Sequence, residues 1–229
     1  GDRMAGPVSV IVAIIVTIER PASAGEKAQQ AMPGKWRTLM LLSLAELLGM
    51  AVWFSATAVV PALTRTWDLS SGGQAWLTMS VQLGFVVGAL GSALFNISDR
   101  LPARWLFSAS NLMAGLATAL IGVVADGLEM ALVLRFLTGV FLAGVYPVGM
   151  KIMATWTKKD RGLGIGLLVG ALVLGSATPH LLNAFGGLED WRLAIYLAAA
   201  SALAGAAIGA LFVKEGPYAV PAPRFRLQE

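Results

Sequence analysis

The stretch WLTMSVQLGFVVGALGSALFNISDRLPARW, residues 76–105, joins a long apolar run to a short charged loop. Its first 22 residues contain no charged side chain, and about 20 mostly apolar residues can cross the hydrocarbon core of a membrane as a helix. The charged loop, Ser98–Trp105, contains Asp99, Arg100 and Arg104, and a second apolar run follows it. The pattern is typical of two membrane helices joined by a tight turn, in which the arginines can pair with Asp99 and cap helix ends.

The composition of the chain is that of a membrane protein. Of its 229 residues, 57% are hydrophobic and 13% are charged, whereas about a quarter of the residues of a soluble domain are charged. The net charge of +4 is not gathered into a basic patch with interleaved aromatic residues, so no nucleic-acid partner is predicted. The absence of cysteine and the single histidine exclude disulfides, thiolate metal sites and histidine clusters, and no cofactor is expected.

Six apolar runs are long enough to span a membrane. Because the connections between them are short, we expect consecutive helices to be antiparallel neighbours. Five of the seven tryptophans fall at run ends, where an amphipathic indole prefers the headgroup level, and this supports the boundaries. The predicted fold is an all-α membrane protein, a six-helix transmembrane bundle with spans at Thr38–Leu63, Trp76–Ile97, Trp105–Ala125, Leu128–Trp156, Gly162–Phe185 and Trp191–Val213.

The distribution of Lys and Arg in the loops predicts the orientation of the chain. Loops on one side contain ten basic residues and loops on the other side two, and an excess of Lys and Arg marks the cytoplasmic side. We therefore expect a multi-pass protein of the cytoplasmic membrane, in contact with membrane lipid, with both termini in the cytoplasm. The ten are Lys35, Arg37, Arg100, Arg104, Lys158, Lys159, Arg161, Lys214, Arg224 and Arg226, against Arg65 and Arg192.

The same pattern divides the chain into three regions. Residues 1–34 are an N-terminal extension that is expected to be disordered, since its apolar run Val8–Ile18 is too short to span. A cleaved signal peptide is the alternative, but cleavage would leave the new N-terminus outside, against the loop charges. Residues 35–215 form the bundle, and the Pro-rich, polar residues 216–229 are a cytoplasmic linker or tail.

Two ionisable residues lie deep inside the predicted spans. At about 1.5 Å per residue, Glu46 lies roughly 12 Å from the cytoplasmic edge of the first span. On the same scale, Arg135 lies roughly 10 Å from the outer edge of the fourth span. Charges at such depth usually face protein or a water-filled cavity and often pair. We therefore expect Glu46 and Arg135 to form a cavity-facing pair that substrate or a proton can break, with a structural ion pair or separate snorkelling as the alternative.

Three further residues are candidates for the solute pathway. Gln82, in the second span, can hydrogen-bond a solute or only a neighbouring helix. Tyr146, in the fourth span, can line a binding site or pack in the core. Lys151, near the cytoplasmic end of the same span, can bind an anion or extend its ammonium group to the interface. Pro61 and Pro147 can bend the first and fourth spans.

Three patterns resemble signatures of the major facilitator superfamily, a family of membrane transporters, over roughly Lys35–Glu215. The charged loop is similar to the family's motif between its second and third helices, and the fourth and fifth spans are similar to its R-x-x-x-G and glycine-repeat signatures. The matching residues are Asp99, Arg100 and Arg104 in the loop, Arg135 and Gly139 in the fourth span, and Gly166, Gly170 and Gly175 in the fifth. The resemblance implies that the loop latches a gate on the cytoplasmic face. Small residues at this spacing imply close helix packing.

The resemblance implies a secondary transporter that moves a small solute by alternating access, and not an enzyme. Members usually contain two six-helix bundles, so this chain corresponds to the N-terminal half, and its partner is the missing C-terminal half or a second copy. Arg135 and Lys151 favour an anionic substrate, and Glu46 favours a role for protons. A six-helix membrane subunit or scaffold that transports nothing is the alternative. Ser176 and His180 share one helix face, but without a nearby orienting acid they do not predict a hydrolase.

Overall fold

The computed structural model describes residues 34–184 and 190–219, and all regular elements in these two ranges are helices. In chain order they are α1 (Lys35–Trp67), α2 (Ser71–Leu94), α3 (Ile97–Arg100), α4 (Ala103–Val124), α5 (Leu128–Leu142), α6 (Tyr146–Trp156), α7 (Arg161–Ala184) and α8 (Trp191–Phe212). The predicted N-terminal extension, apart from Gly34, and the last ten residues of the predicted tail lie outside the described ranges.

The helices confirm the predicted all-α membrane fold. Five segments of the described chain are long and apolar enough to cross a membrane, namely α1, α2, α4, α8 and the α5–α6 stretch Leu128–Trp156. The predicted fifth span coincides with α7, whose fully described part, Arg161–Ala177, is shorter than a complete crossing. Each of the six predicted runs therefore contains a helix.

The second predicted span ends earlier than the apolar pattern indicates. α2 ends at Leu94 rather than at Ile97, because Asn96 adopts a left-handed backbone conformation with φ 51°. Asparagine visits this conformation more easily than most residues, since its short polar side chain can hydrogen-bond locally. The turn at Asn96 leads the chain into α3 and so determines where the charged loop begins.

The fourth predicted span is one apolar run but two helices. Between α5 and α6, the N–H groups of Gly144 and Val145 donate bonds of 2.9 Å to carbonyls three residues back, instead of continuing the α-helical pattern. Pro147, which lacks an N–H, lies in the first turn of α6, where that group is not needed. The bend expected near Pro147 is thus a break directly before it, whereas α1 continues through Pro61.

Glycines bring α2 and α5 into backbone contact. A Cβ at Gly84 of α2 would collide with the main-chain carbonyl of Phe136. A Cβ at Gly139 of α5 would likewise collide with the carbonyl of Val81. Close backbone approach through small residues is a common way for membrane helices to associate. Gly139 therefore lies at a close contact between the backbones of α2 and α5.

The glycines of α7 do not all have the packing role predicted for them. A Cβ at Gly166 or Gly170 would meet no described atom within 4 Å, so the prediction is wrong for these two within this chain. A Cβ at Gly175 would make an ordinary contact, 3.8 Å from the Leu47 carbonyl oxygen and from the Phe54 ring. Spacing along a sequence does not tell which side of a helix its neighbours occupy. Gly166 and Gly170 therefore mark a face of α7 that no described residue covers.

α1 packs against several other helices of the bundle. On the side of α8, a Cβ at Gly205 would lie 2.7 Å from the Ala45 carbonyl oxygen, and the Ser201 hydroxyl donates to Leu48 O at 3.1 Å. α4, α5 and α6 also contact α1, through Asn111, Arg135 and Gly149 respectively. Because α1 touches these neighbours, its polar residues Glu46 and Ser55 are buried.

The two ends of the bundle consist of different segments. At one end, called the charged-loop end, the charged loop meets the end of α6 and the segment that follows α8. The Ala103 N–H there donates to Glu215 Oε1 at 3.0 Å. At the opposite end, the rings of Trp67 and Trp191 meet edge to face with centroids 5.3 Å apart. The loops with the predicted excess of Lys and Arg therefore gather at the same end.

Candidate functional site

Arg135 lies in the interior between α1, α2 and α5, and its side chain is 2% exposed. Nη1 donates to Val52 O at 2.7 Å and to Ser55 Oγ at 3.1 Å, and Nη2 donates to Trp53 O at 2.8 Å. Nε makes a longer bond of 3.5 Å to Leu77 O of α2. All four acceptors are electrically neutral. Within the described ranges, the guanidinium group therefore has hydrogen bonds but no countercharge.

The predicted pair of Glu46 and Arg135 is wrong for this structure. Arg135 reaches α1 at Val52 and beyond, and Val52 lies six residues, about 9 Å along the axis, past Glu46. The Glu46 carboxylate instead faces α6, where a Cβ at Gly149 would lie 2.5 Å from Oε2. Depth along a helix can be counted from the sequence, but the partner of a side chain depends on its rotation about the helix axis.

Lys151 of α6 binds the charged loop. Its Nζ forms an ion pair with Asp99 Oδ1 at 2.7 Å and also donates to a main-chain carbonyl of the loop. The expected pairing of Asp99 with the loop arginines is therefore wrong. Arg104 lies over the ring of the adjacent Trp105, 4.7 Å from its centroid, and Arg100 is exposed. Lys151 pairs with Asp99 because α6 lies beside the loop, within reach of the long lysine side chain.

The Asp99–Lys151 pair is a weak, exposed contact between the charged loop and α6. Both side chains are well exposed, at 45% and 39%, and an exposed ion pair contributes only about 0–1 kcal/mol. The pair connects the loop between the second and third membrane helices to α6. It therefore joins two segments at the charged-loop end without fixing them together permanently.

The remaining predicted pathway residues, Gln82 and Tyr146, form no hydrogen bond with Arg135 within the described ranges. Gln82 is exposed on α2, and its contact with a solute stays a prediction. Tyr146 begins α6 and is half-buried against the main hydrophobic core. Trp53, whose carbonyl binds Arg135, meets the ring of Phe85 edge to face at 5.2 Å. An aromatic pair therefore belongs to the same turn of α1 that holds the guanidinium.

A cavity of about 180 Å³ lies between α1 and α8. Its lining is mostly apolar and includes two serines, Ser55 of α1 and Ser201 of α8. None of the predicted pathway residues lines the cavity. Ser55 both lines it and accepts a hydrogen bond from Arg135. The cavity is therefore not the meeting point of the polar groups singled out from the sequence.

Asn111 is a polar residue of the interior that sequence reasoning missed. Asn111 of α4 is completely buried, its Nδ2 donates to Phe107 O at 3.0 Å, and its Oδ1 has no hydrogen-bond partner in the described chain. Oδ1 lies against Gly49, where any Cβ would collide with it. An amide in the middle of an apolar span stands out in the sequence. Treating Asn111 in the same way as Gln82 would have identified it as a candidate.

The Ser176 hydroxyl is bound to the main chain, and the described residues contain no metal-ligand group. The Ser176 hydroxyl donates to Val173 O at 2.7 Å, and the side chain of His180 lies outside the described part. Among the described residues, no three His, Cys, Asp or Glu side chains are grouped as metal ligands.

Comparison with known proteins relates the chain to solute transporters. It is 27% identical over 184 residues to the 4-hydroxybenzoate transporter PcaK of Pseudomonas aeruginosa, covering 74% of this chain and 40% of that protein. It is 29% identical over 133 residues to the niacin transporter NiaP of Acinetobacter baylyi, covering 53% of this chain and 29% of that protein. The chain thus spans less than half the length of these relatives.

The fold and the sequence agree on one family. The fold is similar to that of a bacterial homologue of the human lysosomal transporter Spinster, in an inward-facing and unoccupied conformation. The TM-score is 0.69 at 19% identity, over 86% of this chain and 47% of that one, and at this identity the likeness concerns the fold alone. The sequence profile described as Major Facilitator Superfamily matches residues 41–228. The chain belongs to the Major Facilitator Superfamily.

Proposed function

We propose that this chain is one six-helix half of a secondary transporter that moves a small organic anion across the cytoplasmic membrane by alternating access. The observation that carries the proposal is Arg135, a buried guanidinium group that has only neutral partners within the described ranges. The substrate's negative charge would provide the missing countercharge.

The chemistry of Arg135 favours a carboxylate. A buried charge without a countercharge is costly, and the planar guanidinium fork matches a carboxylate in two parallel hydrogen bonds. Such charge-assisted bonds are roughly twice as strong as bonds to neutral acceptors. A carboxylate can therefore replace the carbonyls of Val52 and Trp53 as acceptors, which releases α1 from α5 when substrate binds.

The names of the relatives support the same substrate class. They include transporters of 4-hydroxybenzoate, niacin and pantothenate, and each of these solutes carries a carboxyl group. Trp53 and Phe85 place aromatic surface on the α1 turn that binds Arg135. Aromatic carboxylates are therefore the first solutes to examine.

The proposed transport cycle also needs an orientation and a second half. We place both termini in the cytoplasm, because ten of twelve basic residues counted in the loops and flanks lie on that side of the predicted spans. The Asp99–Lys151 pair then acts as a latch on the cytoplasmic face. The second six-helix half is supplied by further chain or by a second copy, and the solute is bound between the halves.

Uptake of matched acids and amides tests the proposal. Cells expressing the reading frame that encodes this chain are assayed with nicotinate, nicotinamide, 4-hydroxybenzoate and 4-hydroxybenzamide. We expect uptake of at least one acid and of neither amide. Arg135→Gln should lower that uptake about 10-fold or more, since a hydrogen bond to a charged group contributes about 1.5–3 kcal/mol. Arg65→Gln, an exposed arginine at the opposite end, is the control.

Three results would contradict the proposed function. The first is uptake of neither acid, and the second is equal uptake of an acid and its amide. The third is wild-type uptake by Arg135→Gln at equal abundance in the membrane. Arg135→Lys separates charge from geometry, because it keeps the positive charge but loses the planar fork.

A further inference from the structure

The cavity between α1 and α8 is closed along the helix axes by contacts at both of its ends. At the end nearer the charged loop, the Ser201 hydroxyl donates to Leu48 O at 3.1 Å. At the other end, the rings of Trp67 and Trp191 meet edge to face with centroids 5.3 Å apart. A ligand therefore reaches the cavity from the side, between the two helices.

The cavity opens at a depth that membrane hydrocarbon occupies. Leu197 lines it and is 50% exposed, on a helix long and apolar enough to cross a membrane. The α8 wall runs from Ala194 to Ser201, which at about 1.5 Å per residue lie about 4.5 and 15 Å from the start of the helix at Trp191. One leaflet fills about half of a hydrocarbon core that is about 30 Å thick. The opening therefore lies among the acyl chains of the leaflet at the end opposite the charged loop.

The lining offers nothing to an anion. Among the described residues, eight of the ten lining side chains are apolar and none is charged. The two exceptions are serines whose hydroxyls already donate to main-chain carbonyls, Ser55 to Val52 O at 2.8 Å and Ser201 to Ala198 O at 2.7 Å. A hydroxyl has a single proton, so neither serine has a further donor for a carboxylate. The chemistry of the lining selects hydrocarbon.

The shape of the cavity favours a chain over a ring. Its α1 wall extends from Leu47 to Ala58, about 16 Å along the helix. A compact cavity of about 150 Å³ can hold benzene, whereas here about 180 Å³ is spread along that length. Small side chains such as Ala51 and Ala198 leave this space, and an empty gap would forfeit van der Waals contacts on both walls. A slender apolar molecule restores those contacts.

We propose that the cavity between α1 and α8 binds one acyl chain of a membrane phospholipid from the leaflet opposite the charged loop. The chain enters beside Leu197 and packs between Ala51 and Ala198. Ser55 lines the same cavity and accepts a hydrogen bond from Arg135. The bound chain therefore supports, from the α8 side, the turn of α1 that Arg135 binds from the α5 side.

Photo-crosslinking in a membrane tests the proposal. The protein that contains this chain is reconstituted in phosphatidylcholine vesicles in which some of the lipid carries a diazirine midway along one acyl chain, and mass spectrometry locates the label after illumination. Ser55 is 6% exposed, so label on Ala51 or Ser55 reports a chain inside the cavity. Val123, 67% exposed near the same end of the bundle on α4, reports ordinary lipid contact. We expect label at both places.

A pair of matched variants shows whether the label depends on the cavity. Ala198→Leu fills the cavity from the α8 side. Because leucine and the acyl chain cannot occupy the same space, the label on Ala51 and Ser55, relative to Val123, should fall about fivefold or more. Ala200→Leu is the control, since it makes the same change two positions along α8, at an exposed residue outside the described lining. It should keep the wild-type ratio.

Two further measurements keep the test independent of how well one variant folds. Ala58→Leu fills the same cavity from α1 and should show the same fall in label. A ligand that binds the folded state raises its Tm. Phosphatidylcholine added to the delipidated protein should therefore raise the Tm of the wild type and of Ala200→Leu more than that of Ala198→Leu.

Three labelling results would overturn the proposal. They are label on Val123 but not on the cavity wall, label on the wall that neither filling variant lowers, and an equal fall in Ala200→Leu. Label that persists in excess 4-hydroxybenzoate supports a lipid chain. Label that this acid removes from Arg135→Gln as fully as from the wild type would show the aromatic solute in the cavity and would also overturn the proposal. Labelling is measured without transport, so uptake of neither acid would contradict only the proposed function.

Discussion

Gly139 shows how a single residue sets the distance between two membrane helices. Its missing side chain lets the α5 backbone lie against the carbonyl of Val81, and Gly84 does the same from the α2 side. Membrane helices gain little from burying apolar surface, because lipid is equally apolar, so close van der Waals contact decides their association. The contact also holds Arg135, one turn away on α5, at the depth where it meets α1 and α2.

Gly139→Ala is therefore expected to destabilise the bundle. The added methyl group must push α5 away from α2, and overpacking of this kind costs about 1–3 kcal/mol. Gly166→Ala is the matched control, because a Cβ there meets no described atom and alanine favours a helix by about 1 kcal/mol over glycine. Thermal unfolding of the purified chain in detergent should show a lower Tm for Gly139→Ala and none of this loss for Gly166→Ala. Equal values would contradict the packing role.

Single residues differ in how far the sequence predicts them. Counting along the spans identified Glu46 and Arg135 as deep, and both are almost fully buried. The count did not identify their partners, because it contains no information on the rotation of a helix about its axis or on main-chain acceptors. Asp99 was predictable as a paired residue, but its partner Lys151 lies 52 positions away. Burial follows from hydropathy, whereas pairing follows from the three-dimensional arrangement.

The segment after α8 is the element that the sequence describes least well. Its composition is that of a linker, yet Trp156 Nε1 donates to Lys214 O at 2.8 Å and Gly216 N donates to Thr155 Oγ1 at 2.7 Å. Glu215 accepts the N–H of Ala103, in the first turn of α4, which has no capping side chain of its own. A cap supplied from 112 residues away cannot be found by the usual local capping patterns.

Glu215→Ala is expected to loosen the start of α4. Loss of a capping side chain costs about 1 kcal/mol, and a carboxylate also interacts favourably with the positive end of the helix. Hydrogen exchange should become about fivefold faster at the Ala103 amide, with a small loss of Tm. Glu129→Ala is the control, since Glu129 lies in the first turn of its own helix α5 and is exposed. If Ala103 is equally protected in both variants, Glu215 does not cap α4.

The break in the fourth span is a second feature of an element that hydropathy does not predict. Hydropathy gives one run over Leu128–Trp156, because an average over side chains does not register the backbone bonds at Gly144 and Val145. Pro147 was the local signal, and it marks the first turn of α6 rather than a bend inside a continuous helix. The break matters for function, because it separates the helix that carries Arg135 from the helix that carries Lys151.

At the scale of the whole molecule, the loops predicted to be rich in Lys and Arg meet at one end of the bundle. The charged loop, the end of α6 and the segment after α8 are joined there by hydrogen bonds and one ion pair. The positions of the helices could be predicted from hydropathy, and five of the six predicted spans are long and apolar enough in the described chain to cross a membrane. The side of the membrane to which this end belongs rests on the loop charges alone.

Cysteine labelling decides the orientation. These 229 residues contain no cysteine, so each single substitution introduces one labelling site into this part of the protein. Arg100→Cys and Asp126→Cys are matched, since both positions are exposed, and they lie at the charged-loop end and the opposite end. In intact cells, we expect a membrane-impermeant maleimide to label Asp126→Cys and to leave Arg100→Cys unlabelled until the membrane is permeabilised. The reverse pattern would put the Asp99–Lys151 pair outside the cell and would contradict the proposed cytoplasmic position of both termini.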